Sequence, residues 1–465
     1  MSTQGPIPGR QNFPADVAGA ALASMKRGQI DKAIAGFRKI VDVDPHCFEA
    51  HYNLGVALAA EGLAGKAEES LRVALGIRQD SAVAYRSLGR VLAMQHRREE
   101  TVAAFRRAVE LKPDYVYAHC DLGVALMEAG RLEEAVAAFE MAIGLKPDFA
   151  PARTQHAMTL LLRGDFQRGW PEYEWRWGAE GFTTPRREFT QPMWDGREFG
   201  GRTLLLHAEQ GYGDTIQFVR YAPMAAERGA NVMLEVPAKL TRILRGFPGV
   251  AEIVPAGSAL PPFDLHCPLM SLPGVFKTTL ATVPASAQYL NAEENLVESW
   301  ARRLGKTAGG PRVGIAWAGQ RSYVGDYNRS MKLAALAPLA GVAGARFFSL
   351  QKGDAAEEAR KPPPGMDLID LGAELADFAD TAAVIKLMDV IVSVDTAVAH
   401  LAGALGKPVW VMLPFLPDWR WLLQRADSPW YPSMRLFRQK RVGDWSGAVE
   451  DVARSLGSWR AMGVG

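Results

Sequence analysis

Residues 48–81 read FEAHYNLGVALAAEGLAGKAEESLRVALGIRQDS, and residues 116–149 read VYAHCDLGVALMEAGRLEEAVAAFEMAIGLKPDF. The two stretches carry Leu-Gly (Leu54-Gly55, Leu122-Gly123), a later Ala (Ala67, Ala135) and a large apolar residue (Leu71, Phe139) in one register. The step is 34 residues and extends in both directions: Leu88-Gly89 keeps it, as do Ala33, Phe37 and Phe105. Pro45, Pro113 and Pro147 stand at multiples of the same step, with Gln79 in the skipped place. Self-similarity at this period marks an array of helix pairs. Gly and Ala let two helices approach where they cross, the larger residues fill the groove between neighbouring pairs, and Pro ends the second helix because it has no N–H to donate.

This unit resembles the tetratricopeptide repeat. Four repeats are predicted at about 14–47, 48–81, 82–115 and 116–149. A partial fifth, Ala150 to Trp177, keeps Gly169 and Tyr173 in register without the Leu-Gly pair, as an end cap does. The resemblance implies an α-solenoid over 14–177 with a groove for a peptide or protein. Residues 178–200 form an aromatic-rich connector, and Trp170, Trp175, Trp177 and Trp194 are expected to pack the last helices onto the next domain at a fixed angle.

From Thr203 the pattern changes to short apolar runs alternating with helical stretches, the signature of βα units on parallel sheets. Strands are predicted at Thr203–His207, Val232–Val236, Glu252–Val254 and Asp264–His266. After a Gly/Pro-rich break at Gly305–Pro311 they recur at Arg312–Trp317, Arg346–Leu350, Leu368–Leu371, Val390–Val394 and Val409–Leu413. Two Rossmann-like domains follow, 201–305 and 306–465, with ligands expected outside the carboxyl ends of the strands.

Composition narrows the function classes. Lys+Arg 53 against Asp+Glu 51 leaves a formal charge of +2 with no basic block, which disfavours a nucleic-acid binder. Cys47, Cys120 and Cys267 show no metal or disulfide spacing, so neither a metal nor another cofactor is expected. The N-terminus lacks a signal-peptide pattern, and the most apolar stretch, Val390 to Pro414, is interrupted by Asp395, His400 and Lys407. A cytoplasmic protein with no membrane span is expected.

Two segments carry the chemistry. In HAEQGYGDTIQFVRY, Gly211 and Gly213 permit a tight turn, and Asp214 and Thr215 open a helix. A dinucleotide fingerprint needs Gly at 216, which is Ile, and no phosphate-loop spacing occurs at Gly403, Gly406 or Lys407. Asp214 reads either as a helix cap or as a carboxylate facing a cleft and available as a general base. His207, Glu209 and Gln210 lie on the same loop and are expected to face that cleft as alternative bases. In VIVSVDTAVAHLAGALGKPVWVML, Asp395-Thr396 ends a buried strand, and the Thr396 hydroxyl with the first free helix amides forms an anion site. His400 follows one turn on, and reads either as a satisfied core residue or as part of that site. The segment PDWRWLLQRADSPWYPS is expected to be a packed helix and turn with Trp419 and Trp421 in the core.

GYGDTIQFVRYAP and DTAVAHLAGALGKPVWVM resemble the corresponding segments of the heptosyltransferase-like glycosyltransferases of the GT-B fold. Their fusion behind tetratricopeptide repeats is similar to O-linked N-acetylglucosamine transferases and bacterial flagellin glycosyltransferases. The resemblance implies a nucleotide-sugar donor and places the acceptor base at Asp214. It assigns the donor's diphosphate to Asp395, Thr396 and His400, with a basic residue at either Arg329 or Lys332. One position departs from that pattern: Ala397 stands where Gly is usual. A protein acceptor in the repeat groove is the leading expectation. The alternatives are a non-catalytic repeat scaffold with a degenerate sugar-nucleotide domain, and an epimerase of the same fold.

Overall fold

The computed structural model describes residues 13–179, 182, 184–198, 200–305, 310–321 and 325–461. The break predicted at Gly305–Pro311 therefore includes residues 306–309, which lie outside the described residues, as do the N-terminal residues 1–12. The chain divides between Thr159 and Leu160 into two compact units.

The first unit is a run of antiparallel helix pairs: α1 (Phe13–Lys26) with α2 (Ile30–Val43), α3 (Phe48–Ala60) with α4 (Ala64–Ile77), α5 (Ala82–Met94) with α6 (Arg98–Leu111), and α7 (Val116–Glu128) with α8 (Leu132–Leu145). The unit boundary falls within α9 (Ala150–Arg163). The small residues do what the period predicts. A Cβ added at Gly123 would lie 2.5 Å from the Phe139 ring, and one at Gly89 2.6 Å from Phe105. Gly55 stands in the same relation to Leu71, at 2.6 Å. Thr101 occupies the Ala place in the third repeat; its hydroxyl donates to the Arg97 carbonyl at 2.9 Å, which satisfies it inside the crossing. A second repeated device closes the turns between pairs. The His51 ring donates to the Pro45 carbonyl at 3.0 Å, and the His119 ring to the Pro113 carbonyl at 2.8 Å. Arg153 does the same to Pro147.

The second unit begins at Leu160 and takes in α10 (Phe166–Tyr173). The reason is aromatic packing: the Trp170 ring lies 5.3 Å from Trp419, Phe166 lies 6.0 Å from Trp430, and the Trp170 indole donates to the Thr278 carbonyl at 2.9 Å. Trp194 is likewise buried and stacks edge-on to Phe276, while Trp175 and Trp177 are half-buried. A first sheet is built from β1 (Thr203–His207), β2 (Asn231–Val236), β3 (Val250–Pro255) and β4 (Leu265–Pro268), interleaved with α11 (Tyr212–Phe218), α12 (Ala222–Glu227) and α13 (Leu272–Val275). It is parallel, in the order β3-β2-β1-β4. After α14 (Glu294–Leu304) a second sheet comprises β5 (Arg312–Ala316), β6 (Arg346–Ser349), β7 (Leu368–Asp370), β8 (Val390–Val394), β9 (Val409–Leu413) and β10 (Met434–Arg438). Its helices are α15 (Asp326–Arg329), α16 (Phe378–Lys386), α17 (Ala397–Ala404) and α18 (Ser446–Ala461). The order β10-β9-β8-β5-β6-β7, all parallel, is doubly wound with its switch point between β5 and β8. The chain is thus an α-solenoid followed by two Rossmann-like halves of an α/β GT-B architecture. Strand β10 was not predicted: its run MRLFR carries two arginines in five residues and has no apolar run to mark it. Among the described residues no helix is long and apolar enough to cross a membrane.

One face of the first sheet is covered by the connector rather than by a helix. Phe189 lies 5.6 Å from His207, 4.9 Å from His266 and 5.2 Å from Phe263, and Arg187 pairs with Glu235. His207 is consequently 3% exposed, with Nε2 3.3 Å from Nδ1 of His266. Burial, reinforced by the charges of His266, Arg187 and Arg176, pushes its pKa down to about 3.

Two predictions follow from this packing. Gly123→Ala drives a methyl into the buried Phe139 ring, and the expected loss is about 1–3 kcal/mol. Gly76→Ala in α4, with nothing within 4 Å of the added methyl, gains up to about 1 kcal/mol from helix propensity. Urea denaturation of the two variants must move in opposite directions. Secondly, His207 is neutral in the folded protein, whereas an unfolded His takes up a proton near pH 6.5. Between about 6.5 and about 3 the unfolded state binds one more proton, so this contribution is fully present above that window. It is lost as pH falls, by about 1.4 kcal/mol per pH unit. His207→Gln should flatten the pH dependence of the denaturation midpoint by one proton in that range.

Candidate functional site

The carboxyl end of β1 leads through Ala208–Gly211 into α11. Gln210 adopts a φ of 63°, and its N–H donates to Thr184 Oγ1 at 2.9 Å, which fixes the sharp turn into the helix. Asp214 is the third residue of α11, and its two carboxylate oxygens have different work. Oδ2 accepts the Gly211 N–H at 2.8 Å, so Asp214 caps as the third helical residue reaching back to the N-cap, which is Gly211 rather than Asp214 itself. Oδ1 accepts Nη2 of Arg420 at 2.5 Å, from the other half of the unit. The Asp214 side chain stays 22% exposed, whereas Arg420 is 8% exposed.

The carboxyl end of β8 leads through Asp395 and Thr396 into α17. Thr396 is the residue before the helix, and its hydroxyl meets Ser393 Oγ at 3.0 Å. The amides of Ala397 and Val398 open the helix without an acceptor one turn back, which makes this end attractive to an anion. His400 is 5% exposed and held on three sides: Nδ1 meets the Tyr431 hydroxyl at 2.9 Å, Nε2 lies 3.8 Å from Asp395, and the ring packs 5.4 Å from Trp421. Burial pushes the Asp395 carboxyl up, but the neighbouring His400 ring, with Arg329 behind it, overcomes this and holds it below the usual carboxylate range.

The first turns of α11 and α17 touch. A Cβ added at Gly213 would lie 2.8 Å from His400 Cδ2 and 3.6 Å from Ala397 Cα. Asp214, His400, Thr396 and Ala397 therefore belong to one seam, and residue 213 must lack a side chain for the two turns to meet. Arg329 and Lys332 follow β5, where the Met331 N–H donates to the Trp317 carbonyl at 2.9 Å. That places both near the edge from which Asp395 and Thr396 project, since β5 and β8 are neighbours. Arg329 pairs with Asp326 at 3.3 Å and its charge acts on Asp395, while Lys332 is exposed.

Two expected loop contacts are taken out of the cleft. His207 lies beneath the connector, as described above. Glu209 has no exposed side-chain surface; Arg176 grips both its oxygens at 3.1 and 2.8 Å, and the Met270 N–H adds a third bond at 3.2 Å. A carboxylate so fully satisfied is a structural pin between the cap and β1, because its lone pairs are already spent on buried donors. Arg176, Arg420 and Tyr431 are residues that sequence reading did not place, and Trp421, expected in the core, was not placed against His400. Their partners lie 33, 206, 31 and 21 positions away. The only signal for Arg420 was an arginine between two core tryptophans in DWRW.

Comparison with known proteins bears on both units. Residues 19–82 and 86–148 match the tetratricopeptide repeat family, and residues 332–411 match glycosyltransferase family 9 (heptosyltransferase). The latter span includes Lys332, Asp395, Thr396 and His400 and leaves out Asp214, Arg329 and Arg420. Protein FlbA of Caulobacter vibrioides is 27% identical over 318 residues, 63% of this chain and 52% of FlbA, so the chain spans about half the length of that relative. Among solved structures, MamA is 26% identical over 33% of this chain and 91% of its own, with a TM-score of 0.32. PilF of Pseudomonas aeruginosa is 23% identical over 36% of this chain and 76% of its own, with a TM-score of 0.34. The chain therefore joins tetratricopeptide repeats to a glycosyltransferase family 9 domain.

Proposed function

We propose that the chain transfers a sugar from a nucleotide-sugar donor to a protein hydroxyl, with the repeats presenting the acceptor. The observation that carries this reading is the seam at Gly213, where a carboxylate from one half and a helix N-terminus from the other stand side by side. Asp214 takes the proton of the acceptor hydroxyl, whose oxygen attacks the anomeric carbon as the bond to the diphosphate breaks. The negative charge that builds on the leaving diphosphate is met by the Thr396 hydroxyl, the amides of Ala397 and Val398, and the cations Arg329 and Lys332. His400 borders that position, and Asp395 orients it. Nucleotide-sugar chemistry in the cytoplasm is part of this reading, supported by Cys47, Cys120 and Cys267 all being unpaired. Acceptor presentation is supported by the repeats: Arg86 of α5 and Asp121 of α7 meet at 2.6 Å on the first helices of successive pairs, a polar surface suited to an extended chain.

A second reading, a repeat scaffold with an inactive sugar-nucleotide domain, is favoured by Ala397 in the place of a glycine and by the Arg420 bond to Asp214. Slow release of nucleoside diphosphate from a nucleotide-sugar separates the two, since an inactive domain releases none.

The paired substitution Thr396→Val with His400→Ala should raise the Kd for a nucleoside diphosphate by about tenfold to a thousandfold, about 1.4–4 kcal/mol. Asp214→Asn should leave that Kd alone and lower turnover by about 10²–10⁴. Calorimetric titration checks the first outcome and steady-state rates the second; equal loss of binding in Asp214→Asn would reduce Asp214 to its capping role. Deleting residues 1–149 should abolish transfer to protein while nucleotide binding stays within about threefold. Undiminished glycosylation of a protein acceptor by the truncated chain would reassign the repeats to partner docking.

A further inference from the structure

We propose that Arg420 is the positioning residue of the reaction: it crosses from the second Rossmann-like half to hold the Asp214 carboxylate, so that the base is in place only when the two halves are closed. This rests on the reading of Asp214 as the acceptor base. Arg420 binds three residues through three different nitrogens. Nη2 donates to Asp214 at 2.5 Å, Nε to Gln217 Oε1 at 2.9 Å, and Nη1 to Asp418 at 2.8 Å. A planar guanidinium presents these donors from three separate nitrogens in one rigid fork, which a compact ammonium on a flexible stem does not reproduce. Its plane is set by the Trp419 ring at 4.2 Å and by Phe218 at 5.5 Å. Asp214, Gln217 and Phe218 belong to α11, so Arg420 reads the orientation of that helix as well as the carboxylate.

The turn that carries Arg420 is itself rigid. Asp418 accepts the Arg420 N–H at 3.0 Å, Leu422 closes the turn with a φ of 51°, and Arg438 donates to the Trp421 carbonyl at 2.7 Å. A leucine in the left-handed region persists only where its surroundings impose it, and such strain gathers at functional sites. Trp421 of the same turn stacks on His400, so one short segment supports both sides of the seam. Two carboxylates, Asp214 and Asp418, share one guanidinium, and Asp214 is the more accessible end of its pair with Arg420. Arg420 thus fixes where the carboxylate points.

The test uses the full-length chain and measures nucleoside diphosphate release from UDP-, GDP- and ADP-sugars, with calorimetric binding of UDP, GDP and ADP alongside. Arg420→Gln should lower kcat about 10- to 100-fold on the sugar that is turned over, with donor KM and nucleotide Kd within about threefold of wild type. Arg420→Lys should recover part of that loss. Arg420→Gln added to Asp214→Asn should slow the reaction no further, because the residue acts through Asp214. Wild-type kcat in Arg420→Gln overturns the proposal, as does a parallel loss of kcat and nucleotide binding, or a multiplicative effect in the double variant. Where Arg420→Gln does not fold, Arg420→Lys carries the same test: reduced kcat at unchanged KM supports the role, and wild-type kcat refutes it. Wild-type kcat in Asp214→Asn, or no release from any sugar, defeats the base reading itself and this proposal with it. Loss in Asp214→Asn with none in Arg420→Gln defeats the positioning role alone.

Discussion

The α/β unit depends on how closely the first turns of α11 and α17 approach one another, and that approach is set by the absence of a side chain at Gly213. A methyl there would stand 2.8 Å from the His400 ring, well inside van der Waals contact. Around this point the two halves are tied by buried arginines rather than by apolar surface alone. Arg220 donates to the Gln217 carbonyl at 2.7 Å within its own half and to the Trp430 carbonyl at 2.6 Å across the seam. Arg420 crosses in the opposite direction to Asp214 and Gln217. Burying a guanidinium is unfavourable unless its donors are matched. For Arg420, burial works against the charge, and Asp418 and Asp214 outweigh it to hold the group above its ordinary value. Geometry is therefore specified from both sides, since misplacing either arginine leaves buried donors unmet.

The solenoid was legible because its constraint is local and repeated. A glycine that faces a large residue 16 positions later recurs at Gly55, Gly89 and Gly123, so the packing rule is written three times in the sequence. The strands of the second unit were legible for a related reason: β1, β5, β8 and β9 are buried runs of apolar residues, which parallel sheets require. β10 escaped because it lies at the end of the sheet, where half of the strand environment is lost and arginines are tolerated.

The site was legible only in part. Asp214, Thr396 and His400 follow strand ends, and strand ends in doubly wound sheets are where ligand contacts sit. His207 and Glu209 satisfied the same rule and still lie elsewhere, because the rule locates a backbone position and leaves the side-chain direction open. His207 points to the sheet face that the connector covers, and Glu209 turns to Arg176 of the cap. Neither partner is signalled by spacing. Arg420 and Tyr431 fail for the converse reason: they occupy no strand end, and what gives them a role is a contact made in three dimensions.

The match to glycosyltransferase family 9 covers Asp395, Thr396 and His400 and stops short of Asp214. Sequence likeness and geometry thus inform different halves of the same proposal. Asp395, Thr396 and His400 stand within a span matched to that family, whereas the case for Asp214 rests on the resemblance of its own segment together with where folding puts it. Its carboxylate caps a helix through one oxygen and meets a buried arginine through the other. A purely structural cap needs only the first of these bonds. The second sets Asp418, Asp214, Trp421 and His400 about one rigid turn. A carboxylate this constrained loses little entropy on reaching a reactive geometry, which is the economy that preorganised sites exploit.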